Sequence, residues 1–400
     1  MITKNAARKF FLFSLILMFL LPLFPTGIKP IVIAVFFFSG ILGCYQNQFK
    51  FDMYGFIINS SVYIVMVISL IYSNNLAYGL KALETMSSLL VFPFIFSMLP
   101  TNYISEMASK KRNLMFIYVI SITVLNIIFF LYHFGHYKST IITHYITVTR
   151  TAQGGYNIHP IYMSMHIGVA IIFSFFLFKK ASKKKEKYIL ILMNIILITF
   201  LLIILKKGSI IGLAIAFTFF VFLQKNTKLL AAYLVIIAVS TSAVITSPIL
   251  NKKFSELLSI ETLDTGDETS SNIRYTIFKN HALNLIKDSP VIGYGIGDYK
   301  DELLKSYKKS SPFLFSNKYN THNQYLSFLI SVGFIGFSLF IVFILHNIFK
   351  AFKLKNQELL LILVFYCFVM TTENILERED GVIFFSFFTC FFRLVKDKKI

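Results

Sequence analysis

Twelve runs of apolar residues, most of them close to the roughly 20 residues a helix needs to cross a bilayer, constrain this chain more than any other feature of its sequence. They fall at 10–24, 29–45, 54–73, 80–99, 113–133, 160–178, 187–205, 209–223, 229–247, 323–349, 357–372 and 381–394. The fold class they imply is an all-α polytopic membrane protein of about 12 transmembrane helices, one integral membrane domain over 1–400 with a single large loop at 248–322. Composition agrees, with 56% hydrophobic residues and only 14% charged ones, where a soluble domain carries about a quarter. Lys4, Arg8 and Lys9 precede the first run as in a signal peptide. No small-residue cleavage site follows, so that run reads as an uncleaved span.

A net charge of +20 would suggest nucleic acid in a soluble protein, but here the cations report topology. With the N-terminus inside, 22 of the 39 Lys and Arg residues fall on cytoplasmic segments. Ten of the other 17 lie in 248–322, a loop too long for the charge rule to govern. The short loops thus divide 22 against 7, which sets both termini in the cytoplasm and loop 248–322 outside it. No nucleic-acid partner is expected. Cys44, Cys367 and Cys390 are odd in number and sit in or beside apolar runs, so they form neither a disulfide framework nor a zinc site.

Within the long loop, Glu256 to Ser271 is acidic and Ser/Thr-rich and reads as a mobile connection. Ile273, Ile277, Phe278, Ala282, Leu285 and Ile286 then recur at helical spacing until Pro290. Gly293-Tyr-Gly-Ile-Gly297 reads as a tight turn rather than a phosphate cradle, because no strand precedes it and no P-loop lysine follows. A second amphipathic helix is expected around Tyr299 to Lys309.

Chemistry is sought among residues at the outer face or stranded at membrane depth. His322 stands where the polar loop ends, in Asn320-Thr-His-Asn-Gln-Tyr-Leu326. Its imidazole is either a helix-capping interfacial group or a base that takes a proton from an attacking hydroxyl, with Asn323 or Tyr325 fixing its orientation. Arg274, the one arginine of the long loop, is either a solvated helix residue or a bidentate clamp for phosphate oxygens. Lys206 and Lys207 interrupt apolar sequence, where a lysine is costly, and either snorkel from a short hairpin or hold a phosphate. From His133 to His166 there are five of the eight histidines, with Lys138, Arg150 and no Asp or Glu, a surface suited to an anionic substrate. His133 and His136 share a helix face, but without a carboxylate or cysteine they do not make a metal site. His159, in His159-Pro-Ile-Tyr162, is either a helix start or part of the anion site. Glu373, Glu377, Arg378 and Glu379 form the last outer loop, where a second acid or base is available.

These residues resemble the O-antigen ligase and polymerase superfamily. The resemblance rests on Arg274, Ala282-x-x-x-Ile286 to Pro290, Gly293-Tyr-Gly295, His322-Asn-Gln-Tyr-Leu326 and Gly333-x-x-Gly336, and covers about 188–394. It implies an inverting, metal-independent and cofactor-free glycosyl transfer at the periplasmic face of the bacterial inner membrane. The donor would be a glycan on undecaprenyl diphosphate, the acceptor a sugar hydroxyl of lipid A-core. His322 would act as the base or orient the acceptor, and Arg274 with a cation after the seventh span would bind the diphosphate. Where the family carries a Ser-Arg-Gly-like sequence, this chain has Lys206-Lys-Gly208, which keeps the charge and loses the fork. Polymerase, protein O-oligosaccharyltransferase and, outside the family, lipid or sugar transporter remain as alternatives. The absence of a visible internal repeat argues against the transporter.

Overall fold

The computed structural model describes residues 3–47, 50–138, 145, 158–258, 260–263 and 268–395. Every apolar run becomes helical: α1 Lys4–Leu20, α2 Lys29–Tyr45, α3 Met53–Ser69, α4 Leu76–Met86, α5 Ser88–Met98, α6 Thr101–Tyr137, α7 Pro160–Lys180, α8 Lys184–Ile204, α9 Lys207–Gln224 and α10 Thr227–Thr246. The loop region contributes α11 Pro248–Ser255, α12 Ser270–Thr276, α13 Leu283–Asp288, α14 Tyr299–Ser310 and α15 Pro312–Ser316, before α16 Gln324–Lys353, α17 Gln357–Val369 and α18 Glu379–Leu394. Asn or Thr side chains accept the first free amides of α4, α10, α12, α16 and α17, the capping geometry that ends a polar connection and starts a helix.

The expected twelve spans are not all long enough. Among the described residues nine helices reach span length and apolarity, and a tenth forms if α4 and α5, bent by 41° at their junction, act as one. α17 has 13 residues, and α18 has 16 with Glu379 and Asp380 in its first turn. Both are nonetheless almost wholly buried, so neighbouring helices rather than lipid surround them.

α7 is the centre of the bundle, buried along nearly its whole length between α6, α8, α9 and α17. Its small residues make this possible: a Cβ on Gly168 would come within 2.6 Å of the Phe365 ring, and Ser164 Oγ hydrogen-bonds Ser209 Oγ of α9 at 2.7 Å. α10 lies at the other extreme, with no buried residue, an apolar helix facing outward.

The loop is helical and docked. α12, a π segment at Ile277–Ala282 and α13 run on without interruption, and the wider π turn carries Phe278, expected on the buried face, out to 40% exposure. Beyond Pro290 the glycine turn packs into α16, which breaks at Gly333 with a positive φ of 58°. The loop backbone closes that break. Tyr294 and Gly295 donate to the carbonyls of Ile330 and Ser331 at 2.9 and 2.7 Å, while Phe334 and Ile335 donate to those of Pro290 and Val291 at 2.8 and 3.2 Å. Non-helical backbone at such depth is tolerated only when protein groups satisfy it in this way. His144, Arg150 and the His136 side chain, part of the histidine-rich cationic surface read from the sequence, lie outside the described residues.

Candidate functional site

Four helix ends meet at one side of the bundle: the starts of α7, α9 and α16, and the chain just after α17. α9 starts abruptly because Leu205 takes a left-handed φ of 48°, making Lys207 its first residue. The next residue is glycine, and a Cβ on Gly208 would stand 2.3 Å from Thr372 Oγ1 and force that side chain to shift. That close approach brings Lys207 beside the segment 372–373. From the other side, Arg274 Nε donates to the Thr372 carbonyl at 3.1 Å and its Nη1 to the Ser270 carbonyl at 3.2 Å.

His322 approaches the same segment from the start of α16. Its backbone takes a left-handed φ of 47°, and its N–H donates to Asn320 Oδ1 at 3.1 Å. Thr321 Oγ1 donates to Asn374 Oδ1 at 3.1 Å, fastening this turn to the 372–378 loop. The imidazole Nδ1 then lies 3.4 Å from Glu373 Oε2, and the Tyr319 ring packs tilted against it at 5.6 Å between centroids.

Glu373 is 7% exposed and stands between cations. Burial alone would raise its carboxyl. The hydrogen bond and charge of His322, then the charges of Arg274 and His159, outweigh burial and hold it below its ordinary value. Burial in turn lowers the Arg274 guanidinium, with Glu373 opposing the shift. His159 caps α7, its Nδ1 accepting from Ile161 N at 3.4 Å, and so is the helix start, close enough to Glu373 to bear on that carboxyl.

Two residues expected to orient His322 are engaged elsewhere. Asn323 Oδ1 accepts the amides of Tyr325 and Leu326 at 2.9 and 3.2 Å as the cap of α16, and the Tyr325 hydroxyl donates to the Cys367 carbonyl at 2.8 Å. Glu373 meets the imidazole instead, while Asn320 holds the His322 backbone amide. Glu377 has a tying role, accepting from Tyr299 Oη at 2.7 Å, from Asn374 Nδ2 at 2.8 Å and from Ser327 Oγ.

A cleft of about 1030 Å³ opens beside these groups, walled by apolar residues of α8, α9, α11 and α17 and headed by Lys206, Lys207, Arg274 and Thr372. Glu256 was missed from the sequence, where it opens a stretch read as mobile. Its Oε2 accepts from Lys207 Nζ at 2.9 Å, and Lys207 also donates to Ser271 Oγ at 3.3 Å. Burial would raise the Glu256 carboxyl, but hydrogen bonds and charges from Lys207 and Lys253 hold it below its ordinary value.

Residues 192–341, which include Lys207, Arg274 and His322, match the family described as O-antigen ligase. This region is similar to that of an O-antigen ligase. An uncharacterized protein of Haemophilus influenzae is similar to the chain, with 29% identity over 206 residues, 46% of this chain and 51% of that protein. The chain therefore spans about half the length of the curated relative it matches. The ligase-like region contains the starts of α9 and α16 with Lys207 and Arg274, whereas Glu373 lies beyond it and meets it only through the fold.

Proposed function

We propose that this membrane protein is a glycosyltransferase that moves a glycan from undecaprenyl diphosphate to a sugar hydroxyl of lipid A-core, working at the periplasmic face of the bacterial inner membrane. The observation that carries this reading is the meeting of His322 and Arg274 on adjacent residues, one at the Glu373 carboxylate and the other at the Thr372 carbonyl.

His322, oriented by Glu373, takes the proton of the acceptor hydroxyl as its oxygen attacks the anomeric carbon of the donor sugar. The new glycosidic bond forms as the bond from that carbon to the diphosphate oxygen breaks with inversion, and the electron pair leaves on the diphosphate. Arg274 and Lys207 stabilise the charge that gathers there, so fixed side-chain cations do the electrostatic work. The apolar cleft walls suit a polyprenyl chain, and Asn323, Tyr325 and His159 hold the helix ends that carry these groups. Donor and acceptor are both lipids, in keeping with a site at the edge of a membrane bundle.

The sidedness has a structural correlate. α7 runs from His159, beside Glu373, to Lys180 at its far end, about 31 Å at helical rise. Lys180 belongs to the cation-rich end with Lys111, Arg112 and Lys183, the composition expected of a cytoplasmic face.

The test is the lipopolysaccharide of cells lacking this protein, complemented with wild type or His322→Ala and run beside the carrier-linked glycan. Loss of all long glycan from lipid A-core, restored by wild type only, is the expected result. A core bearing a single repeat would make the protein a polymerase, and an unchanged lipopolysaccharide would reject the reading.

A further inference from the structure

The head of the cleft already holds an anion belonging to the protein. Glu256 follows α11, none of whose residues is buried, and reaches into the site so that Oε2 meets Lys207 at 2.9 Å and Oε1 meets Lys253 at 3.2 Å. The Lys207 and Glu256 side chains are 11% and 13% exposed, so this ion pair is largely desolvated, unlike the exposed Lys253. Ser271 Oγ, which accepts from Lys207, and Ser270, whose carbonyl accepts from Arg274, connect the two cations through adjacent residues.

We propose that Glu256 is a specificity-determining residue, a built-in competitor that admits polyprenyl diphosphates and turns away polyprenyl monophosphates. This rests on the cleft being the donor site. A single phosphate on Lys207 exchanges one anion for another and leaves the displaced carboxylate with only Lys253, so little is gained. A diphosphate reaches Lys207 and Arg274 together, adding a guanidinium contact that Glu256 does not make. Because α11 contributes nothing to the buried core, the carboxylate can swing out with its helix without disrupting the bundle.

The experiment measures binding of geranylgeranyl diphosphate and geranylgeranyl monophosphate to the full chain in detergent by calorimetry. Wild type is expected to favour the diphosphate by about tenfold or more, and Glu256→Gln to tighten monophosphate binding by about tenfold while changing diphosphate binding less. Glu256→Ala, which adds no amide, has to shift the ratio in the same direction. If wild type prefers the diphosphate and neither variant alters that preference, the inference is overturned while the donor-site reading stands. If neither lipid binds wild type or variant, both are overturned.

Discussion

The imidazole of His322 and the carboxylate of Glu373 meet at 3.4 Å, Nδ1 to Oε2, although 51 residues separate them in the chain. That geometry leaves Nε2 as the nitrogen turned away from the carboxylate and so the one available to a substrate hydroxyl. Removing the imidazole should therefore be worse than neutralising its partner. His322→Ala is expected to lower transfer by at least about a hundredfold and Glu373→Gln by about tenfold, both with lipid-diphosphate binding retained. Transfer assays with purified donor and acceptor check this, and equal losses would make Glu373 more than an orienting group.

The same contact has a pH signature. The folded-state pKa of Glu373 is depressed, so its stabilising contribution is complete above the ordinary value of 4.5 and is lost as pH falls through the folded value. The difference in unfolding temperature between wild type and Glu373→Gln should be constant near neutrality and shrink below about pH 4.5. Thermal melts in detergent followed by circular dichroism read it, and a difference that widened on acidification would contradict the assignment.

Asn323 gives a different expectation. Because its side chain caps α16, Asn323→Ala should cost about 1 kcal/mol of stability, and Asn323→Asp or Asn323→Ser should recover most of that. An activity loss far beyond the stability loss, measured on the same preparations, would restore a direct role beside His322.

Gly333 leaves no room for a side chain. It has a φ of 58°, and a Cβ there would stand 2.3 Å from the Val291 carbonyl oxygen. Gly333→Ala is expected to destabilise by several kcal/mol or prevent accumulation in the membrane. Gly27, with nothing within 4 Å of its Cβ position, is the control, and Gly27→Ala should accumulate normally. Membrane levels by immunoblot decide between them.

Much of this was legible because bilayer physics makes apolar run length informative. All twelve runs are helices, and both loop helices fall near their expected positions. The span count was harder, because α17 and α18 are short and sheathed by protein, and run length alone does not separate a lipid-facing helix from a buried one. Lys207 and His322 stood out as polar groups at the edges of apolar sequence, and Arg274 as the one arginine of the long loop. The partner of Lys207 did not, since Glu256 lies 49 residues away and nothing local marks a carboxylate destined for a buried ion pair. The partners of Asn323 and Tyr325 were hidden for a related reason: neighbours in sequence at a helix start point in different directions, and one side chain caps α16 while the other bonds α17.

The break at Gly333 carries a consequence for how the chain is assembled. Residues 290–295 emerge from synthesis before the span they complete, and they wait with unpaired amides and carbonyls until residues 330–335 arrive. The turn at His322 lies between these two partners in the chain. The order of events then acts as a safeguard, since the turn is enclosed by the closure of the span that follows it, and a chain stalled before α16 has inserted carries no competent site into the membrane.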